Sequence, residues 1–189
     1  ILGKVKDGLL GASGDATYVR LPDNPQTWLA SGKAQAEAIV ADWVDENIYK
    51  LDPQKITKIT VTPKGGSPLT LVKEGEDYTV LEAADPSKLK DTQQLKLEVS
   101  PYAGIVLLDI RKAKENAEPD MVSVVEADGT EITLKLSKEG KDNWLTVKAS
   151  GDTDFAKEVS AKTAGWEYKI PAHVADGLSK TMKNYLKGE

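Results

Sequence analysis

Few side chains in this sequence could do chemistry. His173 is the only imidazole in 189 residues, and a general base needs an acid or a nucleophile within reach. Asp176 and Lys169 are its nearest polar neighbours along the chain. Its place in the first turn of a helix expected after Pro171 suits a solvated surface residue. The chain has no cysteine, which excludes thiolate nucleophiles, thiol redox chemistry and zinc ribbons. No Gly-x-Ser-x-Gly elbow occurs. The glycine-rich stretch at residues 8–14 lacks the lysine and following helix of a phosphate-cradling loop, and reads as a plain loop.

Acidic clusters come next. Asp42, Asp45 and Glu46 fall on adjacent turns of an expected helix, and Asp152 and Asp154 sit beside Gly151. A hard cation needs several oxygens converging at the spacing of a calcium loop, which neither group has. A solvated helix face and a helix cap are the expected roles. Paired-carboxylate chemistry needs two acids facing a cleft, and with 30 acids the sequence selects no pair. No catalytic, cofactor-binding or metal-ligating residue is assigned, and no cofactor or enzymatic activity is expected.

The aromatic residues are the remaining candidates, because indoles dominate partner and ligand contacts. Trp43 fits an apolar helix stripe and is expected in the core. Trp144 alternates out of phase with Leu145 and Val147, which points it outward. Trp28 follows a proline-rich turn, with Tyr18 and Arg20 on the facing strand. Tyr18, Arg20, Trp28 and Trp144 are therefore the candidate contacts for a partner protein, a peptide or a glycan. The competing role is burial, with the rings sealing the hairpin onto the core.

The elements that must position these residues are legible from periodicity. Ile59, Val61, Gly66, Leu69, Thr70 and Leu71 are matched 63 positions later by Val122, Val124, Gly129, Ile132, Thr133 and Leu134. Each copy, at residues 56–81 and 121–148, reads as three short strands with alternating apolar residues. Asp128-Gly129 is a hairpin signal in the second copy, and Gly65-Gly66 takes its place in the first. Ser100-Pro101 is expected to open a helix over 100–108. Further helices are expected at 154–164, capped by Asp154, and at 172–186, where Val174, Leu178, Met182, Tyr185 and Leu186 share a face. Upstream, residues 17–21 and 27–30 flank the turn formers Pro22-Asp23-Asn24-Pro25 as a hairpin. Residues 34–49 offer Ile39, Val40, Trp43 and Val44 as a helix stripe. The expected class is α+β: repeated antiparallel three-stranded meanders with helices packed on one face. The expected divisions are 1–52 (hairpin and helix), 53–115 (first repeat) and 116–189 (second repeat), in one compact assembly.

Composition narrows the partners. The net charge is -5, 40% of residues are hydrophobic and 29% charged, values of a globular chain. Arg20 and Arg111 are the only arginines, and lysines are spread among acids along the whole length. Nucleic-acid binders gather basic charge on one face and favour the arginine fork, so no nucleic-acid partner is expected. No apolar run of membrane-spanning length occurs. The chain begins at Ile1 in a strand-like stretch, which reads as a piece of a longer protein with any anchor upstream.

Several segments together resemble a bacterial family, domain of unknown function 4340. They are Thr17-Tyr18-Val19-Arg20-Leu21-Pro22, Pro25-Gln26-Thr27-Trp28-Leu29, Asp42-Trp43-Val44-Asp45 with residues 48–52, and Gly165-Trp166-Glu167-Tyr168-Lys169-Ile170-Pro171. Pro101 interrupts a helix that is more regular in the family. The resemblance implies a protein anchored by one N-terminal membrane helix, its repeat region on the extracytoplasmic, periplasmic side of the inner membrane. It implies company with ABC-type transport components of the gliding-motility-like kind. It lends no catalytic residue. The expected function is thus a non-enzymatic interaction or scaffold module of the cell envelope, with envelope or transporter proteins as partners. The alternative is a glycan- or peptide-binding module using exposed tryptophans.

Overall fold

The computed structural model describes residues 1–8, 14–34, 43–114 and 118–187. The chain divides into two compact units, Ile1–Asp42 and Trp43–Glu189.

The first unit holds a three-stranded antiparallel sheet of β1 (Leu2–Lys6), β2 (Ala16–Val19) and β3 (Trp28–Ser31), in that order. β2 and β3 form the expected hairpin, with Val19 opposite Trp28 and Tyr18 opposite Leu29. Its connection contains Asp23 at φ +61°, a left-handed conformation that a short polar side chain tolerates. Residues 35–42, including Ile39, Val40 and Asp42 of the expected helix, lie outside the described residues.

The second unit is built on one eight-stranded antiparallel sheet. Its strands are β5 (Ile56–Pro63), β6 (Leu69–Glu74), β7 (Asp77–Val80), β9 (Asp109–Lys112), β10 (Met121–Ala127), β11 (Thr130–Glu139), β12 (Asp142–Ser150) and β13 (Trp166–Ile170). The spatial order is β7-β6-β5-β10-β11-β12-β13-β9. The two predicted meanders, β5-β6-β7 and β10-β11-β12, thus share one sheet through their first strands. There Val125 faces Ile59, and Ser123 faces Val61. Strict alternation builds the core: Met121, Ser123, Val125 and Ala127 of β10 are buried while the residues between them are half-exposed. Asp128 (φ +51°) and Gly129 (φ +74°) close the β10–β11 hairpin with the primed-turn geometry their types allow.

The α+β expectation is corrected to a mostly β architecture. Among the described residues strands dominate, and the helices are few and short: α1 (Thr92–Val99), α2 (Asp154–Thr163), α3 (Ala172–Leu178) and α4 (Met182–Tyr185). Helical spacing in the sequence overstated them. The helix expected over 100–108 precedes that segment as α1, capped by Asp91, whose carboxylate accepts from Gln94 N–H at 2.9 Å. Pro101 lacks the N–H that would continue the α1 ladder, so the chain tightens into a 3-10 turn at Ser100–Tyr102. The β-branched Ile105 and Val106 then enter β8 (Gly104–Val106).

β8 pairs with β4 (Asn47–Lys50), which replaces the last turn of the helix expected to reach Tyr49. Ile48 and Tyr49 are buried there, whereas Trp43 is exposed rather than in the core. The Tyr49 hydroxyl donates to the Tyr102 carbonyl at 2.9 Å, and that of Tyr102 to the Leu178 carbonyl at 3.1 Å. α2 occupies the expected segment, but its cap is Thr153 rather than Asp154, with the Thr153 hydroxyl accepting from Ala156 N–H. The predicted C-terminal helix is split into α3 and α4, because Thr181 and Asn184 form a capping box that starts a new helix.

Candidate functional site

A dense gathering of charged and aromatic side chains lies on the sheet face opposite the core, across β11, β12, β13 and β9. On β12 the core takes Leu145, Val147 and Ala149, so the pleat sends Trp144, Thr146 and Lys148 to the other face. On β13 Tyr168 and Ile170 are core residues, which puts Glu167 and Lys169 outward. β9 is the edge strand beside β13, with Arg111 directly opposite Glu167.

Arg111 reaches from that edge across β13 and β12 to β11. Its Nε donates to Glu167 Oε1 and its Nη2 to Glu139 Oε1, the latter at 2.7 Å. Its guanidinium carbon lies 3.5 Å from the Trp144 ring centroid, a stacked cation–π contact. Lys114 Nζ adds a second bond to Glu139 at 2.6 Å. Beside the cluster, Lys169 pairs with Asp142 at 2.9 Å.

Arg111 and Lys114 together hold the Glu139 carboxyl down to about 2. Bonding to Glu139 and Glu167 raises the Arg111 guanidinium above its ordinary value. At neutral pH the cluster therefore contains carboxylates that accept and cations that donate, with every charge answered by a neighbour. Its chemical capacity is to clamp: it fastens the edge strand β9 to the three strands inside it, β13 through Glu167, β12 through Trp144 and β11 through Glu139. On the opposite side of β9, Lys112 Nζ lies 3.7 Å from the Trp166 ring centroid, so consecutive cations grip tryptophans on both faces.

The structure separates the residues that the sequence proposed together. Tyr18 and Trp28 are each 37% exposed. However, Trp28 lies opposite Val19, and Tyr18 opposite Leu29. Directly paired residues share a face and adjacent ones do not. Trp28 therefore sits on one face of the hairpin, and Tyr18 with exposed Arg20 on the other. Trp144 does point away from the core, yet it is only 7% exposed, because the Arg111 cluster covers it.

The other candidates occupy bland positions. His173 is exposed in the first turn of α3. Asp45 accepts from Lys162 Nζ at 2.7 Å and from Asn47 N–H, and both bonds lower its carboxyl. Among the described residues, no group of three or more His, Asp or Glu side chains could hold a metal ion. Sequence reasoning missed Arg111, Glu139 and Glu167 as a unit. Two signals pointed toward them: Arg111 is one of two arginines, and Trp144 breaks the core alternation of its strand.

Fold and cluster define a mostly β module whose edge strand is pinned by paired charges and stacked tryptophans. The chain belongs to the family described as "Domain of unknown function (DUF4340)", whose model matches residues 8–120. The match takes in β2 and β3 of the first sheet, the first meander and β9; β1 and the resembling stretch at residues 165–171 lie outside it. No curated protein and no solved structure matches the chain. No helix among the described residues is long and apolar enough to cross a membrane.

Proposed function

We propose that the chain is a non-enzymatic, extracytoplasmic interaction or scaffold module of a membrane-anchored bacterial envelope protein, accessory to an ABC-type transport system. The observation that carries this reading is the face of the eight-stranded sheet opposite the core. Along β5 and β10 that face presents Thr60, Thr62, Val122 and Val124, all half-exposed. Small hydroxyls and valines on a pleated surface suit contact with another protein. The Arg111 cluster keeps the neighbouring strands rigid under such a contact. The envelope setting is what the family resemblance implies.

The test is recovery of partners from membranes by the full-length, anchored protein. Co-purification of a transport component encoded beside it is expected. Its loss is expected when Val122 and Val124 are both changed to Lys, provided the variant stays folded. Failure of the native protein to bring down any transport component would refute the reading.

A further inference from the structure

β12 is nine residues long, but β13 pairs with only its first part, through Asn143–Ile170, Trp144–Lys169 and Leu145–Tyr168. From residue 146 to 150, β12 keeps β11 on one side and has no strand on the other. The bonds on the flanks tell which way its backbone groups point. Leu108 N–H donates to the Lys169 carbonyl at 2.8 Å, and Ala113 N–H to the Gly165 carbonyl at 3.0 Å. Odd-numbered residues of β13 thus face β9, and Tyr168 faces β12. Leu145 bonds toward Tyr168, so Val147 and Ala149, in phase with it, aim their N–H and C=O groups at the open side. Among the described residues, nothing meets those groups there.

Thr146, Val147 and Lys148 of this half-edge line a cleft of about 340 Å³, bounded on its other side by Ser160 and Thr163 at the end of α2 and by the start of β13. That volume falls within the range of ligand sites. Val147, Trp166 and Thr163 form its interior, with Thr146, Lys135 and Lys148 at the sheet side. No Asp or Glu lines it, although the chain as a whole is acidic. Lys135 and Lys148 are exposed, and no ion pair among the described residues uses either one. Lys112, over the Trp166 ring, adds positive charge beside the cleft. On β11, Glu139 is already held by Arg111 and Lys114, and Glu131 pairs with Ser150 at the far end of the ladder.

We infer that this cleft takes a short, extended, acidic peptide segment of a partner protein, which adds as a strand to the open half of β12. Unpaired N–H and C=O groups on a strand edge are a template for such addition. Alternate side chains of the added strand fall on one face of the sheet, where Glu or Asp residues meet Lys135 and Lys148. The inference rests on the reading above that the chain works through protein contacts, and it supplies the partner's chemistry. It uses neither Trp28 nor Trp144.

The test is fluorescence anisotropy of the whole chain with a fluorescein-labelled eight-residue peptide of alternating Glu and Val. Saturable binding is expected, weakened tenfold or more in the Lys135→Glu/Lys148→Glu variant. Both side chains are exposed, so that variant should keep the native circular dichroism. A peptide N-methylated at every second residue loses the amides needed to join the edge and should not bind. Three results would overturn the inference: no saturable binding, equal binding of the methylated peptide, or complete displacement by inorganic phosphate. The pull-down separates the two readings. Transport partners recovered equally by native and charge-reversed protein would sink the cleft alone, and no recovery by the native protein would sink the scaffold reading.

Discussion

Replacing Arg111 by Met tests whether the outer cluster is a clamp. Glu167 is 6% exposed at its side chain and Arg111 30%. Removing the guanidinium leaves Glu167 as a desolvated carboxylate without its cation. Breaking a buried pair from one side costs about 3–5 kcal/mol, and the partial exposure of Arg111 places this case near the lower figure. Loss of the stacked contact with Trp144 adds about 1 kcal/mol. The expected destabilisation is therefore about 4 kcal/mol, or a fall in Tm of about 10 °C for a chain of this length. Urea unfolding at pH 7, followed by far-ultraviolet circular dichroism, measures it. The double variant Arg111→Met/Glu167→Leu removes both charges, so it should recover a large part of the loss, with a coupling above about 1 kcal/mol in the mutant cycle. A single variant costing under about 1 kcal/mol, or a double variant costing the sum of the singles, would refute the clamp.

Three further outcomes follow from particular side chains. Glu139 has its folded-state value depressed to about 2 by Arg111 and Lys114. Its contribution is thus present above the unfolded value near 4.3 and is lost as pH falls toward 2. Glu139→Gln should unfold at lower urea than the native chain at pH 6, with the gap shrinking between about pH 4 and 2; a gap that widens on acidification contradicts this. The Tyr185 hydroxyl is fully buried beside that of Tyr102 and, among the described residues, makes no hydrogen bond of good geometry, so Tyr185→Phe should raise stability by about 1 kcal/mol in the same urea assay. Gly151 sits at φ +125°, and a Cβ there would collide with the Gly129 carbonyl oxygen. Gly151→Ala should cost about 3 kcal/mol, whereas Gly140→Ala, at φ +61° in open space, should cost about 1 kcal/mol.

Much of the strand content was legible because alternation is a local property. The β10–β11 hairpin follows from Met121, Val125, Ile132 and Leu134 on one face and the Asp128-Gly129 turn between them. The helices were read less well. Helical spacing is easily met by chance in short apolar runs, and residues such as Ile48 and Ile105 satisfy it while their β-branched side chains join a buried strand pair. Ser100-Pro101 has the composition of a helix start, yet Pro101 acts on the other side: it ends α1 and is followed by a single 3-10 turn. The candidate contacts failed for a related reason. Tyr18 and Trp28 are near in the hairpin, yet one step of register puts them on opposite faces.

By itself the sequence determined the local pieces and the excluded chemistry. The absence of cysteine removes thiolate reactions whatever the fold, and the period of apolar residues sets which side chains each strand can bury. The tertiary structure alone decided which strands become neighbours. β9 lies beside β13, and β13 leaves half of β12 unpaired; no turn or local preference encodes either fact. Arg111, Glu139 and Glu167 are 28 and 56 residues apart in their two bonded pairs. They meet because burying the odd positions of β12 and the even positions of β13 turns the intervening residues onto one shared face. The charged cluster and the open cleft beside it are both consequences of that long-range pairing.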